Sequence, residues 1–257
     1  MNDELFDLSG RVALVTGASS GLGAHFARVL AGNGARVVAT ARRVERLQEL
    51  VEGIAADGGE ARAIAMDVTD PDSVQAGFDA AGEAFGTVDL LVNNAGVAQP
   101  RSFLKTTEAD WDYVMDTNLK AAWRVARAGA ERMKQAGRPG SIVNIASLLG
   151  LGVQFGESLY ATSKAGVVQL TRHMALELMR YGIRVNAICP GYFETEMNRD
   201  FFASDKGQAY IREHIPGQRL GDLPELSGPL LLLASDAGSF VNGVALPVDG
   251  GHLLKSL

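Results

Sequence analysis

Tyr160 and Lys164 stand four residues apart in Ser158-Leu159-Tyr160-Ala161-Thr162-Ser163-Lys164, a spacing that sets a phenol and an ammonium on one face of a helix. A tyrosine hydroxyl with a reference pKa near ~10 is a poor base at neutral pH, and a fixed cation beside it favours the phenolate and lowers that value. The pair is a candidate acid/base unit. A motif this short takes its meaning from the elements that must position it.

Those elements begin with Arg11-Val12-Ala13-Leu14-Val15-Thr16, a β-branched apolar run, followed directly by Gly17-Ala18-Ser19-Ser20-Gly21-Leu22-Gly23 and a helical pattern through Leu30. In a strand, glycine turn and helix the backbone can pass close to a pyrophosphate, with the helix N–H groups and positive dipole end facing the anion. The spacing is G-x-x-x-G-x-G rather than the G-x-G-x-x-G of many dinucleotide folds. A glycine-rich turn that binds nothing is the alternative.

Short apolar runs recur at Arg36–Thr40, Ala61–Met66, Asp89–Val92, Ser141–Ala146, Ile183–Cys189 and Val244–Val248, with helical patterns between most of them. Asp70-Pro71 reads as a helix N-cap and first helical position, and Gly182 after Tyr181 as a helix-ending glycine. Alternation of strand and helix predicts an α/β fold, a parallel sheet with helices on both faces and a ligand crevice beyond the carboxyl ends of the strands.

Thr16 to Gly23, Asn93-Asn94-Ala95-Gly96, Asn118, Ser147, Tyr160, Lys164 and Pro190-Gly191, in this order and at these separations, together resemble the classical short-chain dehydrogenase/reductase family over nearly the whole chain. The resemblance implies a Rossmann-like, doubly wound, seven-stranded parallel sheet of order 3-2-1-4-5-6-7, and a substrate-loop segment at about residues 191–217. No Pro/Ser-rich linker or charge block divides residues 1–257, which read as one domain.

In that family register Tyr160 exchanges the proton with the substrate oxygen, and Ser147 hydrogen-bonds the same oxygen. Lys164 lowers the Tyr160 pKa and holds the nicotinamide ribose, while Asn118 sits in a distorted helix that relays protons to the lysine. The residues implied to bind the cofactor are Gly17, Ser19, Ser20, Gly21, Leu22, Gly23, Asp67, Val68, Asn94, Ala95, Gly96, Tyr160, Lys164, Pro190, Gly191 and Thr195. Asp67 and Val68 would bracket the adenine, and Thr195 the nicotinamide carboxamide; Asn93 and Asn94 read equally as turn residues that order a strand end.

At the end of the second strand, where a carboxylate would bind the NAD ribose, the chain has Ala41 and then Arg42, a planar cation suited to a 2′-phosphate. NADP(H) is therefore favoured over NAD(H), although Ser20 holds a turn position that is basic in many NADP-dependent relatives. Arg43 fits the solvated start of the next helix better.

Leu148, Leu149, Gln154, Phe155, Tyr192, Phe193 and Met197 are candidate pocket walls, mainly apolar, with Phe201 and Phe202 either closing over the site or packing in the core. Such a pocket suits a ketone or secondary alcohol of modest polarity. Arg199, Lys206 and Arg212 keep a 3-oxoacyl thioester substrate open, an NAD-dependent sugar, polyol or alcohol dehydrogenase is a further alternative, and a non-catalytic NADP(H) sensor would not need the proton relay.

The net charge of −6 and the lack of a basic stripe argue against nucleic-acid partners. Residues 1–10 are acidic and polar, and no apolar run reaches membrane-spanning length, which predicts a cytosolic protein with small-molecule partners. Cys189, the single cysteine, reads as a core thiol, and the four histidines lack ligand spacing, so no metal is expected. The stretches Glu108–Lys134 and Ser158–Arg180 carry apolar residues on more than one face, Trp111, Trp123 and Val125 among them. A homotetramer is expected, with a dimer second.

Overall fold

The computed structural model describes residues 3–195 and 198–255. Strands β1 (Val12–Thr16), β2 (Arg36–Ala41), β3 (Glu60–Ala65), β4 (Leu90–Asn93), β5 (Gly140–Ile145), β6 (Ile183–Pro190) and β7 (Ala245–Val248) form one sheet of order β3-β2-β1-β4-β5-β6-β7. Every neighbouring pair is parallel. The order reverses between β1 and β4, so their carboxyl ends lie side by side and open a crevice there.

Helices cover both faces, and a side-chain period of two along the strands decides which face each residue serves. Ala13 and Val15 of β1 pack with Phe26 and Leu30 of α1 (Gly21–Gly32), Leu47 of α2 (Val44–Ala56) and Leu230 of a later helix, Ser227–Ala234. Val12 and Leu14 pack on the opposite face, with Phe78 of α3 (Pro71–Phe85) and with Val125 and Met133 of the helix Ala121–Gln135. Asp70 caps α3 by accepting from the Asp72 N–H at 3.0 Å, with Pro71 at the first position, and Gly182 ends its helix in the left-handed region at φ 72°.

The expected long helix from Glu108 is built as α4 (Glu108–Met115), a π-helical turn over Asp116–Lys120, and α5 (Ala121–Gln135). The next helix, α6 (Ser158–Leu178), carries Tyr160 and Lys164. Two short helices, α7 (Arg199–Ala203) and α8 (Asp205–His214), fill most of the segment after β6, and α9 (Ser227–Ala234) returns to the sheet. Among the described residues no helix is long and apolar enough to cross a membrane.

A buried polar chain ties α6 to the sheet. Asn93 Nδ2 donates to Asn144 Oδ1 at 2.9 Å and to the Ala122 carbonyl at 3.2 Å; Asn144 Nδ2 donates to Thr171 Oγ1 at 2.8 Å, which donates to the Val167 carbonyl at 2.8 Å. Asn93 is thus a clamp between β4, β5 and α5, the structural one of its two readings. Replacing Asn144 by Ala leaves the Asn93 amide without one of its two acceptors and the Thr171 hydroxyl without its donor, and should cost about 2–3 kcal/mol in urea unfolding. An Asn144→Ala variant as stable as the parent would show that the chain does not hold α6 in place.

Candidate active site

At the carboxyl end of β1 the chain turns through Gly17 at φ 65°, and a Cβ on Gly23 would lie 2.3 Å from the Gly17 carbonyl oxygen and 2.5 Å from Asn94 Nδ2. Glycine at position 23 is the condition for this close packing of turn, helix and neighbouring strand end. Asn94 Nδ2 donates to the Thr16 carbonyl at 3.0 Å and to the Gly17 carbonyl at 3.2 Å, while Thr16 Oγ1 accepts from the N–H groups of Asn94 and Ala95. The two turns predicted to meet are stitched together by these bonds. No side chain caps α1, whose first turn faces the same crevice.

A cleft of about 1380 Å³ runs from this turn to the start of α6. It is lined at one end by Gly17, Ser19, Ser20, Gly21, Leu22, Ala41, Arg42, Asp67 and Val68, and further along by Asn94, Ala95, Gly96, Pro190, Gly191 and Thr195. Of the predicted cofactor positions only Gly23 does not line it; Gly23 is buried behind the turn. The residues fit a dinucleotide: a cleft larger than a typical small-ligand pocket, an uncapped helix start and a turn with glycine at three of its seven positions.

Arg43 is the exposed helix start that was expected, the N-cap residue of α2. It lines the cleft, and its Nη2 donates to Ser19 Oγ at 3.3 Å, so that two adjacent arginines flank the glycine turn. Arg42 helps hold the Asp67 carboxyl below its ordinary value, after the larger effect of the bond from Thr69. That bond, 2.7 Å from Thr69 Oγ1, together with the Thr69 N–H, engages only Asp67 Oδ1.

Of the four predicted catalytic side chains, Ser147, Tyr160 and Lys164 line the far end, and Asn118 is buried and does not line it. Lys164 is buried and its Nζ donates to the Ile145 carbonyl at the end of β5 at 2.8 Å. Asn118, in the π-helical turn, donates to the Val97 carbonyl at 2.9 Å and to Ser163 Oγ at 3.0 Å, and its Oδ1 accepts from the Val97 N–H at 2.8 Å. A Cβ on Gly96 would sit 3.2 Å from Asn118 Oδ1 and 3.4 Å from Lys164 Nζ, which puts those two groups beside one bare stretch of backbone. Ser147, just past β5, accepts from the Leu149 N–H at 3.1 Å and lines the cleft with Tyr160.

The electrostatics correct one expectation. Burial pushes the Tyr160 hydroxyl above its ordinary value, and the Glu157 carboxylate adds to the rise; the opposing pull comes from Ser147, not from Lys164. Lys164 lies 5.7 Å from the centre of the Tyr160 ring, and its own burial lowers it from 10.5 to about 8. Cys189 is fully buried, and burial pushes its thiol up to about 11, which keeps it a protonated core group.

The substrate end is more polar than its sequence suggested. Leu148, Leu149, Gln154, Phe155, Tyr192, Phe193, Phe201 and Phe202 all line the cleft, whereas Met197 lies outside the described residues. Phe202 is buried against Ile211 and Ile215, Phe193 packs into the main core, and Phe155 and Phe201 are exposed at the rim. Gln154 Oε1 accepts from the Tyr192 hydroxyl at 2.6 Å and from the Tyr210 hydroxyl at 3.4 Å. Glu157 also lines the cleft, and neither it nor Tyr210 carried a sequence signal: Tyr210 is brought in by α8, and Glu157 lies one helical turn ahead of Tyr160.

Over residues 17–252 the chain matches the family model described as Enoyl-(Acyl carrier protein) reductase. It is 40% identical over 248 residues to the gluconate 5-dehydrogenase of Gluconobacter oxydans, covering 96% of each chain. It is 36% identical over 245 residues to the 3-oxoacyl-(acyl-carrier-protein) reductase of Vibrio cholerae, covering 95% of this chain and 98% of that one. Its fold matches, at a TM-score of 0.94 and 36% identity, the crystal structure of a gluconate 5-dehydrogenase from Burkholderia cenocepacia in complex with NADP and tartrate, covering 99% of both chains.

The depressed value of Lys164 makes stability depend on pH. In the fold it loses its proton near 8, in the unfolded chain near 10.5, so between these values the unfolded state binds more protons and this group's contribution to stability rises with pH. Below about 8 the full cost of burying the cation is present. Urea unfolding should show the parent gaining on a Lys164→Met variant by roughly 3 kcal/mol from pH 7 to pH 11. A stability gap independent of pH would contradict this.

Proposed function

The chain belongs to the short-chain dehydrogenase/reductase family, and from that premise we propose that it is an NADP(H)-dependent oxidoreductase acting on a ketone or secondary alcohol. The observation that carries this reading is that Ser147, Tyr160 and Lys164 line the same cleft as the glycine turn after β1, while Asn118, buried beside Gly96, is tied to α6 through Ser163. The bound nicotinamide would supply or accept the hydride. Arg42 and Arg43 would hold the 2′-phosphate of NADP(H), the turn from Gly17 to Gly23 the pyrophosphate, and Lys164 and Thr195 the nicotinamide end.

In the reducing direction Tyr160 donates its proton to the carbonyl oxygen as that carbon becomes the alcohol, and Ser147 donates a hydrogen bond to the same oxygen where negative charge develops. A hydroxyl that burial has raised is a competent acid for this step. In the oxidising direction it must lose its proton, and an ammonium that has left the Ile145 carbonyl for the substrate side would favour the phenolate. Asn118 holds the Val97 backbone and Ser163, and Ser163 Oγ donates to the Tyr160 carbonyl at 2.7 Å, so the π-helical turn is coupled to the start of α6.

Gln154 and Tyr192 support a hydroxylated substrate over a purely apolar ketone, and the relatives named as gluconate dehydrogenases support it through the hydroxyls of that sugar acid, not through its carboxylate. The 3-oxoacyl thioester reading is supported by the reductase relative; of the three cations it would use, Arg199, Lys206 and Arg212, Arg199 is paired at the surface with Glu194 at 3.0 Å. Trp111 and Trp123 are 43% and 44% exposed, while Val125 is turned into the core, and these outward aromatics support assembly, a homotetramer first and a dimer second.

The test is oxidation of NADPH and NADH against a panel of simple ketones, keto sugars and 3-oxoacyl thioesters. Tyr160→Phe should lower kcat by ~10²–10⁴ while leaving NADPH binding in place; a variant as active as the parent would remove Tyr160 from the chemistry. The double variant Arg42→Ala, Arg43→Ala should raise KM for NADPH by about tenfold or more with little change for NADH, and equal effects on both would refute the 2′-phosphate reading.

A further inference from the structure

Hydride transfer leaves one charge in the cleft without a task. Glu157 lines the cavity and is half-buried, and its Oε2 is shielded from solvent with no hydrogen-bond partner among the described residues. It stands at the N-cap of α6 yet does not cap the helix. Burial raises its carboxyl, and it shares the wall of the cleft with Tyr160 and Tyr192. Gln154, one turn earlier, spends its Oε1 on Tyr192 and Tyr210 and so presents its amide nitrogen as a donor on the same stretch of wall.

The cations do not balance this carboxylate. Among the described residues the basic side chains lining the cleft are Arg42 and Arg43, beside the glycine turn, and Lys164, whose Nζ is on the Ile145 carbonyl. A buried acceptor without a partner is unfavourable until a donor arrives, and a second anion brought beside it, in a site with little water, is repelled. Discrimination of this kind comes from the mismatched group as much as from the matched one.

We propose that Glu157 selects the substrate: it accepts hydrogen bonds from the hydroxyls of an uncharged polyhydroxylated chain or ring, with Gln154 as the adjoining donor, and turns away the corresponding sugar acid. The inference rests on the hydride-transfer reading above and divides the hydroxylated substrates that reading admits. Glu157 acts on selection between alcohols, and the proton exchange remains with Tyr160.

The experiment measures kcat/KM with NADP⁺ for matched alditol and aldonate pairs, and for cyclohexanol, which lacks the additional hydroxyls, using the parent, Glu157→Gln and Glu157→Ala. The parent should prefer alditols by about tenfold or more, and Glu157→Gln, which keeps the shape and removes the charge, should raise aldonate turnover and bring the ratio toward unity. Melting curves check that each variant is folded, and Glu157→Ala carries the test if the Gln variant is not. A parent that prefers aldonates, or a preference that survives in the folded variants, overturns the inference. Turnover of cyclohexanol without any alditol also overturns it and leaves the hydride-transfer reading intact. No turnover of any alcohol, with NADP⁺ bound, removes both.

Discussion

Holding the Lys164 ammonium inside the protein is the constraint on which the rest of the site depends. A cation 5% exposed with a single carbonyl partner is costly, and burial alone carries it down to about 8. The surroundings are arranged for that group. β5 ends so that the Ile145 carbonyl points at it, Gly96 keeps a Cβ out of the space it shares with Asn118, and a Cβ on Gly150 would lie 2.8 Å from the Lys164 carbonyl oxygen. The π-helical turn has the same logic: one extra residue in the helix breaks the regular ladder and lets Asn118 reach Val97 and Ser163.

The sheet supplies the geometry in which such a group can be held. Because the strand order reverses between β1 and β4, the glycine turn and the Asn94 turn share one crevice, and Thr16 and Asn94 lock them with hydrogen bonds of 3.0–3.2 Å. The Asn93–Asn144–Thr171 chain then fixes α6 against β4 and β5 in the layer that holds Tyr160 and Lys164. Nucleotide end and proton-transfer end are thereby kept in register by buried polar bonds, whose value lies in what an unpaired member would cost.

Much of this was legible in the residues. The strand runs alternate with helical patterns because a parallel sheet buries both faces, and the observed strand limits fall within a residue or so of the apolar runs. Asp70-Pro71 and Gly182 were readable because capping chemistry is local. Arg43 is the exposed helix start its sequence indicated; that it also reaches Ser19 of the glycine turn was not legible, because the two are brought together only by the pairing of β1 with β2. Tyr160 was misread: spacing put a cation on its helix face, but the strength of desolvation and the choice of Ile145 as the lysine's partner are properties of the packed interior. Phe201 and Phe202 are neighbours in sequence with opposite fates, one exposed and one buried, because a helix turns successive side chains through about 100°.

Sequence by itself determined the α/β class, the family resemblance, and the identity of the proton-relay and glycine-turn candidates, because all of these are written in local periodicity and in residue types at near spacings. Only the tertiary structure decided which groups share the cleft with Tyr160. Gln154 and Tyr192 were candidate walls from sequence, but that Glu157, at the start of α6, lines the cleft beside them, and that Tyr210 of α8 reaches Gln154 from behind the wall, is required by nothing in their separations along the chain. Their encounter, and with it the charge and polarity that a substrate must match, follows from how the segment beyond β6 packs back over the carboxyl end of the sheet, a long-range arrangement that local propensity does not encode.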